Sequence, residues 1–214
     1  MASTAQSAQR SAVRIATAQL AAKTITAISK AAACVVTATH DYAVGDIVKL
    51  DGIVGMTELN GRAFMVSAIS TTVSFTLGGV DSTNYTTYAS GGTAVKQTMS
   101  KIGNIKDFDI EPDPAAEIDV TNLDSTRKEY ILGLAGSWAM TCSMDMDTTD
   151  TGQAELTKAQ NDGLSRVFTV TLGQSGKVFA GVGFVKNFGA SGSADAVVGG
   201  KLNVRGTGQP SWFV

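Results

Sequence analysis

Apolar and polar residues alternate with a period of two over several stretches of the chain, which is the pattern of half-buried β-strands. The clearest case is "SWAMTCSMDMD" (residues 137–147), whose second face is polar and increasingly acidic. The apolar face of this predicted strand consists of Trp138, Met140, Cys142, Met144 and Met146. "TTVSFTLGGV" repeats the pattern with Val73, Phe75 and Leu77. Several short strands at close spacing, joined by glycine-containing turns, predict a mainly β fold of the sandwich or barrel type.

One helical segment interrupts the strands. "DTGQAELTKAQNDG" (residues 150–163) begins with Asp150 and has Gln153 three positions later, which fits a capping box, and Gly163 supplies a stop signal. We therefore expect one short α-helix lying on a sheet. Its narrow apolar face is predicted to consist of Ala154, Leu156 and Ala159.

The pattern divides the chain into three parts. Residues 1–23 form an Ala/Ser/Gln-rich leader, which fits either a weak helix or an extended arm. Residues 24–95 predict a small β-barrel-like or sandwich module, and residues 97–214 predict a larger β domain that contains the helix. We interpret the leader and residues 97–214 as one host domain, with the module of residues 24–95 inserted into it.

The leader has an unusual composition, because no Asp or Glu occurs between Met1 and His40. An acid-free, Ala- and Ser-rich start with Arg10 and Arg14 is similar to a transit peptide. We favour an assembly arm that orders when copies of the chain associate, since the segment has no core of its own.

The overall composition predicts a globular chain. Of the 214 residues, 43% are hydrophobic and 17% charged, and the net charge of −2 gives no electrostatic case for tight binding to nucleic acid or to a membrane surface. Cys34 and Cys142 lie far apart in the sequence, so we expect two reduced, buried thiols rather than a disulfide.

Candidate catalytic chemistry is sparse. His40 is the only histidine, which excludes a mechanism or metal site that needs two, and we expect it to be a turn residue without a role. No glycine pair is followed by Lys-Ser or Lys-Thr, so a phosphate loop has no support. We therefore predict no enzyme, no metal and no cofactor. A solvated strand face explains the acidic pairs better than a Ca²⁺ or glycosidase site does; these pairs are Asp107/Asp109, Glu111/Asp113 and Asp145/Asp147.

A charged segment separates two short predicted strands in "EIDVTNLDSTRKEYILGL" (residues 117–134). A loop of this length is hard to justify on a monomer, whereas its mixed charge can pair with complementary groups on a neighbouring copy. The alternative is an exposed turn followed by the start of a helix at Ser125. The predicted inter-subunit loop consists of Thr121, Asp124, Ser125, Thr126, Arg127, Lys128, Glu129 and Tyr130.

The same segment carries a resemblance. "EIDVTNLDSTRKEYILGLAGSWAMTCSMDMD", with the helix "GQAELTKAQNDG" and the strand "VFTVTL" after it, resembles the core of the bacteriophage tail tube proteins, of the long, non-contractile (siphophage) type. In that family a strand leads into a charged loop, and a strand, a short helix and more strands follow. The matching residues are Asp119, Val120, Thr121, Asp124, Arg127, Lys128, Glu129, Tyr130, Ile131, Gly133 and Leu134.

A second resemblance covers the module. "GMTELNGR" (residues 55–62) and "GVDSTNYTTYASGG" (residues 79–92) resemble a small β module that recurs in phage virion proteins and is labelled by its likeness to a domain of ubiquitin-activating enzymes. The adenylation and thiol-transfer machinery of those enzymes is absent from this sequence, so the resemblance implies no ubiquitin chemistry.

The tail tube resemblance implies a structural virion protein with a tail-tube-type β-sandwich. Its copies would form stacked rings, hexameric in that family, around a channel for DNA from the capsid to the host. The implied partners are the protein itself, a tape-measure protein in the lumen and tail-end proteins. The implied location is the virion tail, after assembly in the cytoplasm of the host bacterium.

An acidic or neutral lining suits such a channel, because a cationic wall would hold the passing duplex. Asp145 and Asp147, on the polar side of the predicted strand, are candidates for this lining, and an ordinary exterior face is the alternative. Two other functions stay open: a carbohydrate- or cell-surface-binding β-sandwich with Tyr85 and Tyr88 as exposed aromatics, and a capsid decoration protein. A hydrolase ranks last, since no nucleophile–base pair is evident.

Overall fold

The protein is mainly β in a computed structural model, which describes residues 7–70, 72–212 and 214. One α-helix, α1 (Thr151–Asp162), and one short 3₁₀ turn (Thr57–Leu59) accompany the strands. No helix among the described residues is long and apolar enough to cross a membrane. The strands are β1 (Ala12–Gln19), β2 (Lys23–Thr24), β3 (Ala27–Ile28), β4 (Val35–Thr37), β5 (Ile47–Val54), β6 (Ala63–Ser70), β7 (Ser74–Leu77), β8 (Ser90–Lys101), β9 (Ile105–Pro112), β10 (Glu117–Asp119), β11 (Tyr130–Leu132), β12 (Trp138–Asp145), β13 (Arg166–Thr171), β14 (Val178–Ser191) and β15 (Gly199–Ser211).

One large sheet contains every described strand except β10 and β11, which pair only with each other. Its order is β3-β4-β7-β6-β5-β8-β1-β13-β14-β15-β12-β9, and β2 pairs with β8 beside this path. All the pairings are antiparallel. The order places β9 at one edge of the sheet, next to β12.

Strand β8 belongs to both halves of the sheet. Its residues from Ser90 to Lys96 pair with β5, and its residues from Gln97 to Lys101 pair with β1. The strand therefore runs without interruption through the predicted boundary between residues 95 and 97. Residues 12–19 of the leader form the central strand β1 between β8 and β13.

Three groups of buried side chains fill the fold. One lies within the module and includes Leu50, Phe64 and Phe75. A second lies beneath α1 and the later strands and includes Trp138 and Phe179. The third joins the two halves, because Ile47 and Ala63 of the module pack with residues of β1, β13 and β14. The module is thus attached through apolar packing as well as through β8.

The helix has the predicted ends. Asp150 accepts a hydrogen bond from the Gln153 backbone nitrogen at 2.7 Å, and Gly163 ends the helix in the left-handed conformation, with φ of +64°. The Gln153 side chain does not complete the capping box. It donates instead to the carbonyls of Gly103 and Asp145 and accepts from the Asp147 backbone nitrogen, so it ties the helix to the ends of β8 and β12.

Several details differ from the sequence patterns. Met146 is only half-buried, because β12 ends one residue before it. Val73 is exposed and precedes β7, and Ala154 faces solvent while Leu156 and Ala159 are buried. Periodicity alone does not fix where an element stops, and each of these residues lies at or near an element's end.

Candidate assembly surface

The segment of residues 117–134 forms a hairpin, here called the arm, that stands apart from the main sheet. Strands β10 and β11 pair antiparallel, with Ile118 opposite Ile131. The pairing continues into the loop, where the Val120 backbone nitrogen donates to the Glu129 carbonyl at 2.9 Å. No helix begins at Ser125, so the helical alternative for this loop is wrong.

The loop at the tip of the arm has an ordered backbone of its own. The Asn122 side chain accepts from the Asp124 backbone nitrogen at 2.8 Å, and Ser125 closes a turn back onto Asn122 through two further hydrogen bonds. Thr121 accepts from the Glu129 backbone nitrogen at 3.0 Å. These bonds present the loop side chains in a defined arrangement, which reduces the entropy lost on binding.

Apolar residues on the arm are unusually exposed. Leu123 and Leu134 are 104% and 93% exposed, and about half of Ile118 and Ile131 is accessible. Among the described residues, the arm makes no contact that buries either face of its two strands. A hairpin with both faces exposed to water is marginally stable alone, and exposed apolar residues of this kind are typical of interaction surfaces.

Charges on the arm fall into two groups. Lys128 lies 3.6 Å from the Asp119 carboxylate and 6.0 Å from the centre of the Tyr130 ring. Its positive charge therefore has partners within the arm. The charged side chains of Asp124, Arg127 and Glu129 form no ion pair in the described part of the chain. Seven of the predicted loop residues, including Thr126, lie in this loop, and Tyr130 is the first residue of β11.

The base of the arm is anchored to the main sheet. The Arg205 guanidinium of β15 contacts both carboxylate oxygens of Asp113, which lies between β9 and the arm. The Asp113 backbone nitrogen donates to the Ser137 carbonyl at 3.0 Å, and the Gly133 nitrogen donates to the Ala116 carbonyl at 2.7 Å. The arm therefore leaves the sheet in a fixed direction.

The two candidate lumen residues have local partners. Asp145 lies at the end of β12 with its carboxylate 2.5 Å from the Lys106 ammonium. Asp147 accepts hydrogen bonds from the Thr149 hydroxyl and backbone nitrogen, and these bonds lower the pKa of its carboxyl. Asp147 is thus ionised at neutral pH, but it lies in a turn beyond the strand.

A longer acidic row was predicted only as a solvated strand face and not as a candidate lining. Asp107, Asp109 and Glu111 are exposed on the outer face of edge strand β9, while Phe108 and Ile110 turn towards the core. The sequence signal for this row is the period-two spacing of "DFDIE" (residues 107–111), which places the three carboxylates on one face. On the same side of the sheet, two strands away, β15 carries Lys201 and Arg205, so this surface is acidic at its edge and basic further in.

The catalytic candidates occupy structural positions. His40 lies in a loop, as predicted, but it is buried: it stacks on Tyr42 and touches Phe75, so its role is in packing. Cys34 and Cys142 are buried as predicted, and burial raises the pKa of each thiol, for Cys142 to about 12. Tyr85 and Tyr88 are half-buried against the module core rather than exposed. No group of three or more His, Cys, Asp or Glu side chains within the described residues is placed to hold a metal.

Comparisons with known proteins match both halves of the sequence. Residues 79–182 match the family described as phage tail tube, TTP, lambda-like, and residues 31–98 match the ubiquitin-activating enzyme E1 FCCH domain. No curated protein matches the chain. Among solved structures, the chain is similar to one from the virion of a native gene transfer agent particle, with 20% identity, a TM-score of 0.46 and coverage of 54% of this chain and 88% of that one. It is also similar to one from the tail of an empty gene transfer agent particle, with 21% identity, a TM-score of 0.44 and coverage of 54% and 86%.

Proposed function

We propose that this chain, a structural phage tail tube protein, closes into rings of itself and that the rings stack into a hollow conduit for DNA. The observation that carries the proposal is the arm, an ordered hairpin with fully exposed leucines and uncompensated charges. Exposed apolar patches of this kind mark interaction surfaces, and a second copy of the chain is the partner that tube building requires. Rings of six copies follow from the family resemblance.

Ring closure requires sheet edges that can meet. In the half of the sheet that lies outside the module, β9 is an edge strand, next to β12. On the side of β8 that faces β5, residues 98–101 also have no strand partner within the described part of the chain, because β5 pairs only as far as Lys96. We infer that β9 of one copy adds to this stretch of β8 in the next, which would remove both edges.

We infer the lumen lining from the same proposed arrangement. The outer face of β9 and β12 continues around the ring when these edges meet. We propose that Asp109 and Glu111 line the channel together with Asp145, and that Asp147 lies at its rim. The acidic edge of this face would repel the phosphates of passing DNA and so favour a mobile duplex.

The remaining expectations form part of this proposal. The protein performs no reaction and binds no cofactor. A tape-measure protein fills the lumen before DNA passes, tail-end proteins cap the tube, and the protein resides in the virion tail after assembly in the host cytoplasm. The leader and residues 97–214 act as the tube-building domain, and the inserted module decorates it.

Negative-stain electron microscopy with size-exclusion chromatography tests self-assembly. We expect hollow tubes or stacked rings from the wild-type protein. The double variant Leu123→Ser/Leu134→Ser should stay subunit-sized with its fold intact, whereas Leu164→Ser, which changes a leucine that is 61% exposed outside the arm, should assemble normally. Normal tubes from the double variant would overturn the assignment of the arm. A wild-type protein that forms only a discrete small oligomer would favour a binding module or a capsid decoration protein instead.

A further inference from the structure

A surface cavity of about 350 Å³ lies where the module meets the last strand of the chain. Its volume is within the range of small-molecule sites. The loop after β7 forms one side, and the end of β15 with the residues after it forms the other. The residues that line it include Arg62, Asp81, Tyr85, Pro210 and Trp212.

Arg62 supplies a buried positive charge to this cavity, and no carboxylate of the described residues pairs with it. It is only 8% exposed. Its Nε and Nη1 donate to the carbonyls of Gln209 and Glu58, each at 3.1 Å, and Nη1 also lies 3.5 Å from the Tyr85 hydroxyl. No acceptor contacts Nη2 among the described residues. A guanidinium carries five N–H donors, so this group keeps donors for a ligand.

Asp81 supplies acceptors to the same cavity. It is exposed, and its carboxylate accepts a hydrogen bond from the Thr83 backbone nitrogen at 2.9 Å. Hydrogen bonds from Thr83 lower the pKa of this carboxyl, so the group is ionised at neutral pH. The cavity therefore combines a fixed cationic donor with an anionic acceptor.

The cavity also has apolar lining residues. Trp212 is 40% exposed, and its ring meets Phe179 edge to face with the ring centres 5.1 Å apart. Pro210 and Val80 complete the apolar lining. A partly exposed indole held against a second aromatic ring presents a rigid surface to the C–H groups of a ligand.

We propose that this cavity binds a neutral pyranose sugar, which makes the tube protein a glycan-binding protein on its module side. The hydroxyls of a pyranose accept from Arg62 and donate to Asp81, and its C–H face lies on Trp212. A simple anion fits less well, since Asp81 would repel it. A purely apolar ligand would leave Arg62 buried and without a further acceptor.

Saturation-transfer NMR tests the site with defined probes. The probes are methyl α-D-glucopyranoside, methyl α-D-mannopyranoside, methyl β-D-galactopyranoside and N-acetyl-D-glucosamine, with acetate and inorganic phosphate as anion probes. We expect transfer to the ring C–H protons of at least one sugar, with a Kd on the order of 1 mM for a ligand of this size. Trp212→Ala and Asp81→Asn should each weaken this binding at least fivefold.

Matched control variants distinguish sugar binding in the cavity from sugar binding elsewhere on the protein surface. Phe184→Ala removes an aromatic residue of similar exposure, 43%, and Asp51→Asn removes another exposed carboxylate; both should bind as the wild type does. Asp81→Asn changes an exposed group, so it keeps the test valid if Trp212→Ala fails to fold. No transfer to any sugar would overturn the proposal, as would binding that all four variants leave unchanged. Changes in the ¹⁵N chemical shifts of residues around Arg62 on addition of acetate or phosphate, but of none of the sugars, would identify an anion pocket instead. None of these outcomes depends on tube formation, so the site and the proposed function can fail separately.

Discussion

Arg205 of β15 donates hydrogen bonds from two guanidinium nitrogens to the carboxylate of Asp113, one of them at 3.0 Å to Oδ1. Asp113 lies where the chain leaves β9 for the arm. More than half of the Arg205 side chain is exposed, so the pair contributes little to global stability. Its bidentate geometry instead fixes the direction of the arm.

Arg205→Gln should therefore impair assembly without unfolding the protein. We expect the concentration at which tubes form to rise several-fold, because the arm must be oriented at each binding event, while the Tm changes by less than about 3 °C. Sedimentation of tubes over a concentration series measures the first quantity and circular dichroism the second. Lys201→Gln, on the same strand and without an ion pair in the described chain, is the control. Equal assembly of the two variants would contradict a role of Arg205 in placing the arm.

Exchanging the charges of Arg127 and Glu129 should slow polymerisation. The double variant Arg127→Glu/Glu129→Arg keeps the net charge and the monomer fold, since neither side chain forms an ion pair in the described chain. Complementary charges mainly accelerate association, so light scattering should show a slower onset at low salt and a smaller difference at high salt. Identical time courses at low salt would remove these two charges from the interface.

Gly206→Ala should destabilise the core beneath the helix. A Cβ at this position would lie 2.3 Å from the indole nitrogen of the buried Trp138, which cannot move away in a packed interior. We expect a loss of about 2 kcal/mol in the free energy of unfolding, as for other overpacked sites. Gly189→Ala is the matched control, because a Cβ there meets nothing within 4 Å. Urea denaturation measures the free energy of unfolding of both variants. Equal values would mean that the indole has room to shift.

Stability should fall as the pH rises from about 9 towards 12. Burial, with the charges of Asp41 and Asp46, raises the Tyr42 pKa from 10.0 to about 12, and burial with Asp107 raises that of Cys142 from 9.0 to about 12. In this window the unfolded chain has lost protons that the folded chain keeps, so increasing pH favours unfolding.

Tyr42→Phe isolates one of these groups. It removes the hydrogen bond from the Tyr42 hydroxyl to the Ala94 carbonyl, so the variant should be less stable than the wild type at pH 7. Its urea midpoint should nevertheless decline less steeply between pH 9 and 12, because one titrating group is gone. A slope equal to that of the wild type would show that Tyr42 does not titrate with unfolding.

Sequence patterns predicted the features that depend on neighbours along the chain. The alternation in β12 identified four buried residues, from Trp138 to Met144, because side chains in a strand change face at every step. Asp150 and Gly163 marked the ends of α1, since capping involves residues within one turn.

Features that depend on distant residues escaped prediction. His40 precedes the predicted turn at Asp41, but it packs against Phe75 of β7, which is distant in the sequence. Asp145 has the spacing of a solvated carboxylate, yet the register of β9 brings Lys106 to it. Neither the cavity at Arg62 nor the anchor at Arg205 is visible in the sequence, because each forms only when separate segments meet.

The continuity of β8 has a mechanical consequence. A force that pulls the module along the axis of this strand passes through one unbroken backbone into the ladder that β8 forms with β1. Antiparallel strands drawn along their length resist in shear, with the hydrogen bonds of the ladder loaded together rather than opened one after another. If the chain forms the proposed tube, we expect a module under such a force to move with the tube wall rather than independently of it.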